Sequence, residues 1–271
     1  SRGLCGTLQN VPRDARKDPY RVRQAFVARP GHALLVADYS QLELRILAHF
    51  SCDENLLTAF NEGFDLHSFT AKKAFNLDCP VEQVKKLHDD KRSTAKILNF
   101  GIPYGTSWHR VSKTIGCSEQ DAKEFIANWF EAYPDVKNYM DSQISFAKTY
   151  GYVLTLSGRR RYLPEIKLPI PKVHYEKATD SQKRIFKAVS HAKRVSYNTP
   201  IQGSAGDLIK KAQVAIYFNE DLRRMGFKQL LQIHDEIVAE APIRHAEECK
   251  ALMCELMVGA YSDVLNVPLE V

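Results

Sequence analysis

Gln229 to Ala241 reads QLLQIHDEIVAEA. Two apolar runs, Gln229 to Ile233 and Ile237 to Ala241, flank the polar triplet His234, Asp235 and Glu236. A short polar insert between two strand-like runs predicts a tight β-hairpin that carries the triplet. Adjacent carboxylates between apolar arms are costly unless a cation or solvent neutralises them. A divalent metal is the natural occupant of such a turn.

Working outward, Ala33 to Ala37 (ALLVA) is a short apolar run that ends at Asp38, which predicts a second buried strand. From Gln41 to Phe60 the apolar residues Leu42, Leu44, Ile46, Leu47, Phe50, Leu56, Leu57 and Phe60 recur mainly at three and four, with a break at Ser51 and Asp53. Two helices are expected there. Residues 61 to 165 read as mostly helical, interrupted at Asp78-Cys79-Pro80, Gly101-Ile102-Pro103 and Tyr133-Pro134, and no internal repeat is visible. Tyr152 to Leu156 followed by Gly158 suggests a strand and turn. Lys167 to Lys187, with weak periodicity, suggests an exposed loop. A helix is expected from Asp207 to Arg224, ending at Gly226, and a last one from about Ile243 to Leu265 over the hairpin. Strands at both ends with helices between them make the fold class α+β.

The bulk numbers constrain the partners. With 271 residues and 44% hydrophobic content the chain can build one large core or two ordinary ones. A net charge of +6 suits a polyanionic partner without demanding one. No apolar run approaches the roughly 18 residues of a membrane helix, and Ser1 to Cys5 has no apolar core of a secretory signal, so no membrane association is expected. The six cysteines contain no Cys-x-x-Cys pair, which favours a reducing compartment. His245, Cys249 and Cys254 fall on a helix-like run and read as a structural face.

Three constellations carry chemistry. In Asp38 to Arg45 (DYSQLELR) one carboxylate ends a strand and another, Glu43, follows five residues later at a helix start. Alone, Asp38 reads equally well as a capping residue. With Asp235 on a separate strand, however, two aspartates could bridge the pair of cations, about 3.5 to 4 Å apart, that phosphoryl transfer commonly uses. The third set is Arg92, Lys96, Phe100 and Tyr104. At a spacing of four, each step advances about 40° around a helix, so all four share one broad face. Two cations followed by two rings suit a nucleoside triphosphate. The other reading is a solvated basic helix whose Phe100 and Tyr104 belong to the core. Pro103 should kink this helix between Phe100 and Tyr104, with Gly101 and Gly105 making bending easier.

DYSQLELR (38–45), RSTAKILNFGIPYG (92–105) and QIHDEIV (232–238) resemble motifs A, B and C of the family A DNA polymerases, the bacterial DNA polymerase I type. LQNVP (8–12), DLH (65–67), GRRRYLP (158–164) and NTPIQGSAGDLIK (198–210) are further similarities in the family's order, so the resemblance spans nearly the whole chain. It implies a right-hand polymerase: palm from residues 1–60 and 194–271, mostly helical fingers from 61–193 with the motif B helix at about 91–105, and no thumb. It also implies a template-directed DNA polymerase core that adds deoxynucleoside monophosphates from dNTPs to a primer 3′-hydroxyl, by two-metal phosphoryl transfer with release of pyrophosphate, in DNA replication or repair.

By position, the resemblance implies that Asp38 and Asp235 hold two Mg²⁺ ions with the Tyr39 carbonyl, that Glu236 assists nearby, and that His234 lies close to the primer terminus. His67, Arg92 and Lys96 would bind the triphosphate, Lys96 would also protonate the pyrophosphate, and Phe100 and Tyr104 would pack on the incoming nucleotide. Glu43 would act as the steric gate against a ribose 2′-hydroxyl. Gln9, Asn10, Arg194, Asn198 and Gln202 would contact the minor-groove side of the primer–template, sensing pairing geometry rather than sequence.

Some stretches depart from the family. Ser1 to Thr7 does not match its usual segment, and thumb and exonuclease domains are expected from a longer polypeptide. Lys167 to Lys183 is longer than the bacterial enzymes need and reads as a lineage-specific surface loop. Lys17 to Phe26 and Leu230 to His234 look closer to plant and algal organellar polymerases, which points to a plastid or mitochondrion. Two other functions remain in view. A single-subunit RNA polymerase shares the paired aspartates, but Glu43 argues against it. A catalytically silent DNA-binding platform would not need Asp38, Asp235, Arg92 and Lys96 together.

Overall fold

The computed structural model describes residues 21–271, so Gln9 and Asn10 lie outside the described residues. The chain runs β1 (His32–Asp38), α1 (Leu42–Ser51), α2 (Glu54–Asn61), α3 (Leu66–Ala74), α4 (Val81–Leu87), α5 (Asp89–Gly101), α6 (Trp108–Ile115), α7 (Glu119–Ala132) and α8 (Pro134–Tyr150). It continues with β2 (Tyr152–Leu154), β3 (Arg160–Tyr162), α9 (Asp180–Phe218), α10 (Glu220–Arg224), β4 (Lys228–Ile233), β5 (Glu236–Pro242) and α11 (Ala246–Gly259). Among the described residues no helix is long and apolar enough to cross a membrane.

Two compact units emerge: among the described residues, 21–42, 208–264 and 269–271 form one, and 43–207 with 265–268 form the other. The first is built on a three-stranded antiparallel sheet of order β1-β5-β4. As the central strand, β5 is buried along almost its whole length, and Ile237, Val238, Ala239 and Ala241 supply its apolar residues. Of the two carboxylates it buries, Glu236 and Glu240, the second pairs with Arg29 at 2.7 Å. The edge strand β4 carries a bulge at Leu230, where the register steps from Gln229↔Ala239 to Leu231↔Val238. Such bulges twist an edge away from further pairing.

The second unit is mostly helical, with a small β2-β3 hairpin. Local chemistry sets its junctions. Asp53, 1% exposed, takes the amides of Asn55 and Leu56 at 3.1 and 3.2 Å on one oxygen and the amide of Asp135 at 3.1 Å on the other. One carboxylate therefore caps both α2 and α8. Asn55 adds a bond to the Ala132 carbonyl at the end of α7.

β1, β2, β4, β5 and the first two helices fall close to where the sequence places them, β3 is a strand the sequence reading does not predict, and three boundaries move. Asp180 to Lys187, read as loop, is the first part of α9. Thr179 and Gln182 exchange bonds at 2.9 and 3.4 Å in the reciprocal pattern of a capping box, which starts the helix. The helix expected to run unbroken from Asp207 to Arg224 breaks at Asn219, whose side chain caps α10 through the Leu222 amide. Finally, α11 stops at Gly259 instead of near Leu265, giving way to a turn in which the Val264 amide reaches the Tyr261 carbonyl.

Replacing Asp53 with alanine orphans three amides in a buried site, and a destabilisation of about 3 kcal/mol is expected. Urea denaturation checks this: the midpoint falls with the slope unchanged. An unmoved midpoint would mean that the carboxylate does not clamp α2 to α8.

Candidate active site

The carboxylates lie at one end of the three-stranded sheet. Asp38 is the last residue of β1 and is register partner to Glu236, the first residue of β5, which in turn faces Ile233 of β4. Only His234 and Asp235 separate β4 from β5, so a two-residue turn puts Asp235 beside the end of β1, where the Tyr39 amide reaches the Asp235 carbonyl at 3.4 Å. His234 makes the turn with a φ of 57°. This left-handed conformation costs a non-glycine residue about 1 kcal/mol, although histidine tolerates it better than most. The strain holds His234 exposed at the tip of the turn while Asp235 stays half-buried and Glu236 is buried.

Tyr39 fixes the other side. Its ring is buried and its hydroxyl donates to the Met257 carbonyl of α11 at 2.7 Å, while the Ser40 amide reaches the Glu270 carbonyl at 2.9 Å. The chain leaving β1 is thus anchored on both flanks of Asp38. Burial and the nearby negative charge of Asp38 push the Asp235 carboxyl above the ordinary carboxylate range. A cation beside the two carboxylates would relieve that burden on Asp235.

The helical unit holds the second group of residues. In α5 Thr94, Ala95, Leu98 and Asn99 are buried, whereas Lys96 and Phe100 face outward. Phe100 is 45% exposed and Tyr104 43%. The two rings are therefore not core, which removes the plain amphipathic-helix reading of this face. As Pro103 requires, α5 gives way after Gly101 to a turn of 3-10 helix, Ile102–Tyr104. Gly105 ends that turn at a φ of 69°, and a Cβ there would collide with the Tyr197 hydroxyl and the Arg194 side chain. Lys96, Phe100, Tyr104, Arg110 and Arg194 line an open cavity of about 900 Å³.

Arg92 is held by Asp65 through a two-pronged bond, Nε to Oδ2 at 2.7 Å and Nη2 to Oδ1 at 3.1 Å. Asp65 is also the N-cap of α3 and accepts from the Ser68 amide and hydroxyl. Burial alone would raise its carboxyl, but the Arg92 and Ser68 hydrogen bonds hold it down at about 2. Two residues on, His67 is buried, and its imidazole is lowered to about 4 by burial and by the positive charges of Arg92 and Lys96, against the pull of Asp65. It is a neutral ring at neutral pH.

Arg194, Asn198 and Gln202 occupy successive turns of α9. Asn198 approaches the Pro103 carbonyl at 3.4 Å, Arg194 donates to the Ser190 hydroxyl at 2.9 Å, and Gln202 is exposed. Glu43 stands half-buried in the first turn of α1. The structure thus groups Asp38, Tyr39, His234, Asp235 and Glu236 in one unit, and His67, Arg92, Lys96, Phe100, Tyr104, Arg194, Asn198 and Gln202, with Glu43, in the other. Sequence reasoning gave no role to Asp65 or Asn99. The D-x-x-S pattern of a helix cap was the available signal for Asp65, and a polar residue on the apolar face of α5 was the signal for Asn99.

Comparison with known proteins bears on the family. The profile of DNA polymerase family A matches residues 6–271. The thermostable DNA polymerase I of Thermus filiformis is 42% identical over 266 residues, which are 97% of this chain and 29% of that protein. The DNA polymerase I of Caldicellulosiruptor bescii is 40% identical over 265 residues, 97% of this chain and 28% of its own. The chain therefore spans about three-tenths of the length of these relatives. A solved structure of the POL domain of Pol1 from M. smegmatis, in complex with DNA primer-template and dNTP, superposes with a TM-score of 0.80 at 36% identity, covering 97% of this chain and 43% of that one. With its α+β architecture, its paired aspartates and its cation-and-ring helix face, the chain belongs to the family A DNA polymerases.

Proposed function

We propose that this chain is the catalytic core of a template-directed DNA polymerase, which extends a primer with deoxynucleoside monophosphates from dNTPs and releases pyrophosphate in DNA replication or repair. The observation that carries the reading is the Asp38–Asp235 pair, two carboxylates forced together at a strand end and a hairpin turn. The M. smegmatis relative, solved with primer-template and dNTP, supports the choice of partners. On this reading the sheet-bearing unit serves as palm and the helical unit as fingers, with thumb and exonuclease domains supplied by a longer polypeptide.

The donor set fits divalent cations: hard carboxylate oxygens from Asp38 and Asp235, one of them already burdened by the other's charge, beside the Tyr39 main chain. Two Mg²⁺ ions held there would supply the charge neutralisation that phosphoryl transfer needs at the attacking and leaving oxygens. Glu236, buried next to Asp38 in register, supports the pair, and exposed His234 faces the primer end. Arg92 uses two N–H groups on Asp65 and keeps the others for a phosphate, Lys96 adds a point charge, and His67 adds a neutral donor. As the 3′-hydroxyl gives its proton to solvent and its oxygen bonds to the α-phosphorus, the bond from that phosphorus to the pyrophosphate oxygen breaks, and Lys96 would give its proton to the departing pyrophosphate. Phe100 and Tyr104 offer exposed rings to the incoming nucleotide, and Glu43 occupies the room a 2′-hydroxyl would take. Arg194, Asn198 and Gln202, with Gln9 and Asn10, contact the primer–template.

Primer extension with Mg²⁺ tests the reading. Asp235→Ala should lower the rate by at least about 10³-fold, and Glu43→Ala should gain ribonucleotide incorporation. Extension that survives Asp235→Ala would sink the two-metal account, and a Glu43→Ala variant still blind to ribonucleotides would remove the gate. Because the His67 pKa is lowered, the ring gains its charge only near pH 4, so the difference in dNTP affinity between wild type and His67→Gln should stay constant from pH 8 to pH 6. A gap that widens on acidification would show a cationic His67.

A further inference from the structure

Behind the exposed face of α5 lies a buried polar chain that ends at His67 and whose other members the polymerase reading does not use. Trp129, Asn99, Thr70 and Tyr133 are each at most 1% exposed, and His67 is 5% exposed. The Trp129 indole N–H donates to Asn99 Oδ1 at 2.7 Å. An indole nitrogen can only donate, so the atom it meets must be the amide oxygen, and the Asn99 side chain cannot be turned the other way. Asn99 Nδ2 then faces Thr70 Oγ1 at 2.9 Å and His67 Nδ1 at 3.1 Å. Thr70 Oγ1 lies 2.7 Å from the Leu66 carbonyl, to which it donates, and 2.7 Å from the Tyr133 hydroxyl, while it accepts from Asn99 Nδ2. Thr70 Oγ1 also lies 3.2 Å from Asn99 Oδ1, but the Trp129 indole alone fixes the Asn99 amide, so the branch from Trp129 through Asn99 to His67 has a single sense.

That sense reaches His67. The amide nitrogen of Asn99 can only donate, so His67 Nδ1 must present a lone pair, and in a neutral ring the proton then resides on Nε2. We propose that Asn99, oriented by Trp129, is a positioning residue that locks His67 in its Nε2–H tautomer, so that the ring offers the triphosphate an N–H donor rather than a lone pair. The proposal rests on the reading of His67 as a triphosphate ligand. The low His67 pKa agrees with it, because a ring held neutral has a tautomer to choose. The wrong choice would turn a lone pair toward phosphate oxygens. Asn99 also joins α3 to α5, the helices that carry His67 and Lys96.

The test is the ring-nitrogen protonation of His67, read by long-range ¹⁵N–¹H correlation in the whole chain labelled with ¹⁵N-histidine at pH 7.5. The His67 signals are identified among the 9 histidines by their loss in His67→Gln. Wild type should carry its proton on Nε2. Asn99→Asp keeps the shape and still accepts from Trp129, but it offers His67 only lone pairs, so Nδ1 should become protonated. Trp129→Phe, which leaves His67 and Asn99 in place, should let both tautomers appear. In a dGTP titration with a primer–template presenting a templating cytosine, Asn99→Asp should weaken binding about tenfold, the size of one hydrogen bond to a charged group. A wild-type ring protonated at Nδ1, or an Nδ1 that stays bare in Asn99→Asp, overturns the lock. A lock that holds while His67→Gln leaves dGTP affinity unchanged overturns instead the placing of His67 on the triphosphate.

Discussion

Asp38 and Asp235 are brought together by main-chain geometry that has no regard for their charge. Antiparallel pairing of β1 with β5 sets Asp38 opposite Glu236, and a two-residue turn leaves Asp235 no other place than beside it. The arrangement strains the backbone at His234 and raises the Asp235 carboxyl through burial and through its neighbour's charge. A fold selected only for stability would not keep two carboxylates there. The structure around them resists relaxation: Tyr39 is tied to α11, Ser40 to the Glu270 carbonyl, and β5 is buried along its length. The site is therefore a preformed demand for positive charge.

The helical unit presents cations and rings on one face. Its α5 buries Thr94, Ala95, Leu98 and Asn99 and leaves Lys96 and Phe100 outside, with Tyr104 one turn beyond a proline-induced change of helix type. Large exposed rings are costly surface for a protein to maintain, and here they share one stripe with Lys96. The residues behind the stripe are the opposite: fully satisfied, directional and nearly inaccessible. Rigid polar cores of this kind hold outward-facing groups in fixed orientations.

Much of this was legible in the sequence because the signals were local. The apolar run ending at Asp38, the two runs flanking His234 to Glu236, and the spacing of four from Arg92 to Tyr104 each follow from strand or helix periodicity. The start of α9 was not legible in the same way. From Asp180 the helix mixes lysines and arginines with scattered apolar residues and carries Pro200 and Gly203 inside it, so periodicity failed where the Thr179–Gln182 cap would have served. The ties of Asp65 to Arg92, 27 positions away, and of Asn99 to His67, 32 positions away, were beyond reach. Long-range side-chain partners leave no periodic trace, and only the fold brings them together.

The most direct test of the central claim is to count the divalent ions that the paired aspartates hold. Titrating Mn²⁺ onto the protein with primer–template and a non-hydrolysable dNTP, followed by electron paramagnetic resonance, gives the stoichiometry for wild type, Asp38→Asn and Asp235→Asn. The account predicts two ions in the wild type and fewer in each variant, with the fold unchanged. Stoichiometry that neither substitution alters would place the metals elsewhere and contradict it.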